Sequence, residues 1–105
     1  MTFNKLVRDR IPDIIEGQGE RPITRILNEE EYLRCLEQKL DEEVREFHEE
    51  KNLEELADIL EVVYALAETQ GGSKEELLSV YKKKHEERGG FADRIFLISK
   101  ETDVK

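Results

Sequence analysis

The sequence predicts an all-α fold, an antiparallel helical bundle in a single domain spanning 1–105. Three features predict it. Apolar residues recur at spacings of three and four rather than two. Cap-forming residues and glycine pairs punctuate those runs. The chain is 41 % charged and 37 % apolar, which suits helices with one buried stripe and heavily charged outer faces.

The elements follow in order. In MTFNKLVRDRIPDIIEGQGE, Pro12 suits the first turn of a short helix, and Gly17 and Gly19 suit its end. Next, Ile23, Thr24 and Ile26 are β-branched and predict a short extended segment. Asn28 is a good N-cap with Glu31 placed to close a capping box, so a second helix runs to about Glu50. Leu33, Leu36, Leu40, Val44 and Phe47 form its apolar stripe. Asn52 caps a third helix that continues to about Gln70 and stops at Gly71-Gly72. Ser73 and Glu76 open a fourth, through Leu77, Leu78 and Tyr81 to about Arg88, where Gly89-Gly90 ends it. The apolar run Ile95–Ile98 predicts a strand, and a small two-stranded ribbon pairing 23–27 with 94–99 is the expected addition to the bundle.

The net charge of −9 excludes nucleic acid as a default partner, because a phosphate backbone requires a basic surface. It suits divalent cations. The single cysteine, Cys35, excludes an intrachain disulfide and fits a reducing cytoplasmic setting. No run of about 18 apolar residues is present to span a membrane, and no signal-peptide pattern opens the chain.

Helix three, EELADILEVVYALA, is apolar on nearly every side yet carries Asp58 and Glu61. Carboxylates in such a setting are costly unless a cation meets them. At about 100° per residue, Glu43 lies roughly 60° from the centre of the helix-two stripe, Glu46 roughly 120° and Glu42 roughly 160°. Glu55, Asp58 and Glu61 form an i, i+3, i+6 ladder on helix three. A short link makes helices two and three antiparallel and can gather Glu43, Glu46, Glu55 and Asp58. Four carboxylates together resist ionising, and two Mg²⁺ or Mn²⁺ ions would cancel their charge. No Cys/His set suited to zinc accompanies them. Chance remains open on spacing alone, since the chain has 26 acids, and Glu55 also suits the N3 position of the Asn52 cap. A helix apolar on so many sides also implies self-association, as a homodimer or homotetramer with helix three near its centre.

The pattern E-E-x-x-E at Glu42, Glu43 and Glu46, then E-x-x-D at Glu55 and Asp58, resembles the all-α NTP pyrophosphohydrolase superfamily. NKLVRDRIPDII, EELADILEVVYALA and KKKHEERGGFADRIFL together resemble its MazG-like, phosphoribosyl-ATP-pyrophosphohydrolase-like branch, over nearly the whole chain. The resemblance implies Mg²⁺-dependent cleavage of a nucleoside triphosphate between the α and β phosphates. It implies Glu43, Glu46, Glu55 and Asp58 as metal ligands, with Glu61 extending the ladder as a further catalytic candidate or as a partner for Arg or Lys. Phosphoribosyl-ATP enzymes usually carry a histidine soon after the acidic Asp; EVVYAL stands there instead, and neither His48 nor His85 replaces it. That departure favours general nucleotide cleaning over the histidine-biosynthetic step. Lys5, Arg8, Lys84 and Arg88 are the candidate substrate-binding cations, and solvated surface charge is the alternative for each. The contrasting class is a non-catalytic acidic oligomeric module whose carboxylates pair with Lys and Arg.

Overall fold

The computed structural model describes residues 2–102. Four helices appear in order: α1 (Ile11–Gly17), α2 (Glu29–Glu50), α3 (Leu53–Thr69) and α4 (Lys74–Arg88). Pro12 sits in the first turn of α1, where its missing N–H costs nothing. The Asn28 side chain accepts from the Glu31 N–H at 2.9 Å, and the Glu31 carboxylate accepts from the Asn28 N–H at 3.3 Å. This reciprocal capping box opens α2. Asn52 and Ser73 cap α3 and α4 by accepting from the N–H groups of Glu55 and Glu76.

The α2–α3 link is very tight. Lys51 adopts a left-handed conformation (φ 49°, ψ 51°) and donates its N–H to the Phe47 carbonyl at 2.8 Å. Asn52 then caps α3 at once, so the two helices fold back antiparallel and form the principal packing of the chain. At Gly71, φ is +80°, a value that favours glycine, and α4 turns back against α3. The buried apolar residues among those described are Leu36 (3 % exposed) on α2 and Val62 (7 %) on α3.

The buried face of α2 differs from the predicted stripe. Leu36 is buried, but Val44 is exposed and Glu43 is buried in its place (6 % exposed). The face that meets α3 is thus turned by roughly 60° toward Glu43. Leu36 and Glu43 are seven residues apart and share one side of the helix; on α3, Glu55 and Val62 do the same.

The expected ribbon is absent: no strand occurs among the described residues. Ile23, Ile26 and Ile95–Ile98 lie outside any regular element and are exposed. The composition favours strand, but a strand needs a partner along its edge, and the two segments do not meet within the chain. No helix among the described residues is long and apolar enough to cross a membrane.

Removing the cap of α3 tests how much the tight link contributes. Asn52→Ala should lower the unfolding free energy by about 1 kcal/mol, measured as a shift of the urea midpoint at constant slope. An unchanged midpoint would mean that Lys51 alone sets the turn.

Candidate functional site

The site lies at the end of the α2–α3 pair nearest the Lys51–Asn52 link. Away from the link, the shared stripe holds Leu36 and Val62; toward it, the same stripe holds Glu43 and Glu55. Two sets of three carboxylates result. Glu43, Glu55 and Asp58 each bring an oxygen within 4.8 Å of the others, and Glu42, Glu43 and Glu46 do likewise. Glu43 belongs to both.

Glu55 occupies the N3 position of its helix, as Glu31 does in α2. The Asn52 side chain accepts from the Glu55 N–H, but no reciprocal bond from the Glu55 carboxylate is made. That carboxylate instead joins the acid cluster.

Two cations answer these acids. Lys39 Nζ lies 3.4 Å from Glu43 Oε1 and 3.8 Å from Glu42 Oε1. Arg8 Nη2 donates to Asp58 Oδ1 at 2.6 Å, and its Nη1 lies 3.7 Å from Glu61 Oε1. Glu43 Oε2 and Glu55 Oε2 are buried with no hydrogen-bond partner. Burial, and then the neighbouring Glu46 charge, raise the Glu43 carboxyl above its ordinary value against the opposing pull of Lys39. Glu55 is raised by desolvation first, then by Glu46 and Asp58.

The chain upstream of α1 closes one side. Leu6–Arg10 lie across α2 and α3, and together with Tyr32, Lys39, Glu43, Asp58 and Glu61 they bound an open groove of about 450 Å³. The groove ends at the acid cluster.

The predicted residues divide accordingly. Glu43, Glu46, Glu55 and Asp58 are brought together, with Glu43 at the centre of the packed face. Glu42, predicted nearly opposite the stripe, reaches the cluster because the packed face is turned toward it. Glu61 stays exposed beside Arg8. Arg8 reaches the site as an ion-pair partner of Asp58. Lys5 lies over the Phe3 ring at 5.7 Å. Lys84 and Arg88 sit on the exposed face of α4 and do not line the groove; Arg88 borders a separate small pocket of about 190 Å³ with residues 89–95. Lys39 was missed by sequence reasoning, though its i, i+4 spacing to Glu43 was a usable signal.

The donor set fits a hard divalent cation. It consists of carboxylate oxygens, two of them buried without partners, and the oxygens of each triad lie within 4.8 Å of one another, close enough to converge on one ion.

No protein-family model matches the chain, and no solved structure matches it. The chain is similar to a protein of Mycolicibacterium smegmatis (strain ATCC 700084 / mc(2)155) described only as uncharacterized, 52 % identical over 42 residues. The match covers 40 % of this chain and 43 % of that protein, less than half the length of either.

The raised carboxyl values set a pH dependence. From the ordinary value of 4.5 upward to the raised folded values of Glu43 and Glu55, the folded state binds more protons than the unfolded state. Stability contributed by these two groups therefore falls as pH rises through that window. With divalent cations chelated, Glu43→Gln should be more stable than wild type above the window, and the two should converge below it. Urea midpoints between about pH 4 and pH 8 measure the difference; parallel curves would show that Glu43 is not electrostatically strained.

Proposed function

We propose that the chain is a metal-dependent nucleoside triphosphate pyrophosphohydrolase, cleaving the α–β phosphate bond of a (d)NTP or related nucleotide to a monophosphate and pyrophosphate. The observation that carries this reading is Glu43, a buried carboxylate shared by two acid triads with one oxygen unpartnered. Among the described residues, the six carboxylates Glu42, Glu43, Glu46, Glu55, Asp58 and Glu61 face only Lys39 and Arg8 within ion-pair distance. The residual negative charge is the amount that two Mg²⁺ or Mn²⁺ ions would neutralise. The resemblance of the acidic pattern and of the NKLVRDRIPDII and ERGGF segments to MazG-like enzymes supports the same reading.

Glu43, Glu46, Glu55 and Asp58 would hold the ions, with Glu43 common to both sets. When bound, they supply charge neutralisation on phosphate oxygens and acidification of water. The chain's own residues do the rest. Asn52 holds the first turn of α3, and so the backbone of Glu55, in place. Lys39 holds one oxygen of Glu43 and leaves the other aimed into the cluster. Glu61, exposed one turn beyond Asp58, is placed to take the proton of an attacking water, and Glu42 is the second candidate. Arg8 bridges Asp58 and Glu61 and borders the groove, as do Arg10 and Lys39, so its guanidinium is one of three cations available to a phosphate entering there.

The structural alternative treats the cluster as a set of ion pairs. The Arg8–Asp58 and Lys39–Glu43 contacts favour it, but it accounts for neither unpartnered oxygen.

A panel of standard and modified (d)NTPs with Mg²⁺, assayed for monophosphate and pyrophosphate, tests the proposal. Asp58→Asn should lower turnover by at least about a hundredfold with the helical circular dichroism retained; undiminished turnover in that variant would end the two-metal assignment. Separately, Mg²⁺ or Mn²⁺ at about a hundred times its Kd should stabilise the fold by about 2.7 kcal/mol, read as a rise in melting temperature. The rise should vanish in Glu43→Gln. A melting temperature indifferent to both ions would favour the ion-pair reading.

A further inference from the structure

Two segments of the chain are outside any helix, largely apolar and without backbone partners. Residues 23–27 leave Ile23 and Ile26 more than nine-tenths exposed, and residues 94–98 leave Phe96 (88 %) and Ile98 (89 %) in solvent. No backbone hydrogen bond joins 21–27, or 95–102, to any other backbone group among the described residues. Ile95–Ile98 are apolar on both alternating faces, the pattern of a strand covered on two sides. Unpaired apolar edges of this kind are templates for another chain.

We infer that these segments form an interface between two copies of this chain, in which residues 23–27 of each copy pair as a strand with residues 94–98 of the other. Three observations select a second copy as the occupant. The first is area. The chain exposes 10073 Å², against about 6,100 Å² for a compact monomer of 12.4 kDa. That excess exceeds the roughly 1,000–2,500 Å² per subunit that an obligate dimer buries. The second is shape. The radius of gyration is 19.3 Å, against about 13 Å for a compact chain of this length. The longest axis is 73 Å, whereas α2, the longest helix, spans only about 33 Å, so the chain reaches well beyond the length of its longest helix.

The third is complementarity. A two-fold axis lets each copy supply the strand that the other lacks, so both edges are satisfied at once. Neither segment adds to the repulsion expected between two chains of charge −9: residues 21–27 carry two arginines and no acid, and residues 91–98 carry one Asp and one Arg. The 23–27 edge is also held ready. Arg25 donates to both oxygens of Glu31, at 3.3 and 3.0 Å, tying the segment to the first turn of α2. Pairing across the two-fold would fix the relative placement of the copies and cover apolar surface that a lone chain leaves in water. The inference stands on exposed surface and free backbone groups, independently of whether the acid cluster binds metal.

The test uses the full chain in a Cys35→Ser background. Thr24→Cys is made in one preparation and Ser99→Cys in a second, isotope-labelled one; the two are mixed and treated with a flexible bismaleimide. The expected product is a cross-linked peptide joining a light segment around 24 to a heavy segment around 99, and sedimentation at a multiple of 12.4 kDa. Phe96→Asp/Ile98→Asp should abolish the cross-link and shift the mass toward a single chain while leaving the helical circular dichroism unchanged. A single-chain mass for the unmodified protein, the absence of the mixed cross-link, or a 24–99 cross-link confined to one chain in the double-cysteine variant would each overturn the proposal.

Discussion

Glu43 imposes the central constraint. It occupies a core position on α2, a heptad from Leu36, and it faces Glu55, which stands a heptad from Val62 on α3. One packed stripe is therefore apolar at the end far from the link and acidic at the end near it. Substituting apolar residues of similar volume for buried charges often leaves a fold as stable or more so. A domain with so small a core gains nothing in stability from placing a carboxylate at one of its few buried positions. A local conflict with good packing marks a functional site when its surroundings are arranged to sustain it. Here Lys39 restrains one oxygen of Glu43, Asn52 fixes the turn bearing Glu55, and the segment 6–10 is drawn across the groove with Arg8 on Asp58.

The parts legible in the sequence were those governed by local chemistry. Asn28 with Glu31, Asn52, and Ser73 with Glu76 marked the helix starts because a cap and the N–H group it accepts from lie within three residues. The gathering of Glu43, Glu46, Glu55 and Asp58 was legible for a similar reason: a tight link between antiparallel helices places residues just before and after it side by side. Tertiary choices were not legible. Val44 reads as a stripe residue by hydropathy, yet it is exposed while Glu43 faces the acids of α3, an arrangement that hydropathy alone does not favour. The Arg8–Asp58 bond spans fifty residues and leaves no periodic trace. In the ribbon segments the residue types favour strand, but no pairing partner exists inside the chain; propensity speaks to conformation and not to which edge will be met.

α3 carries two different surfaces. α2 covers one side of it, while Leu53, Leu56 and Leu60 remain exposed on the side away from α2. At about 100° per residue, that apolar stripe lies nearly opposite Glu55 and Asp58, which face Glu43. Covering the apolar stripe would therefore hold α3 in place without enclosing the acid cluster, which keeps its own opening to solvent along the groove bounded by Leu6–Arg10. Water in that groove screens the repulsion among Glu43, Glu55 and Asp58, and excluding it would strengthen both that repulsion and the attraction of the cluster for a divalent ion.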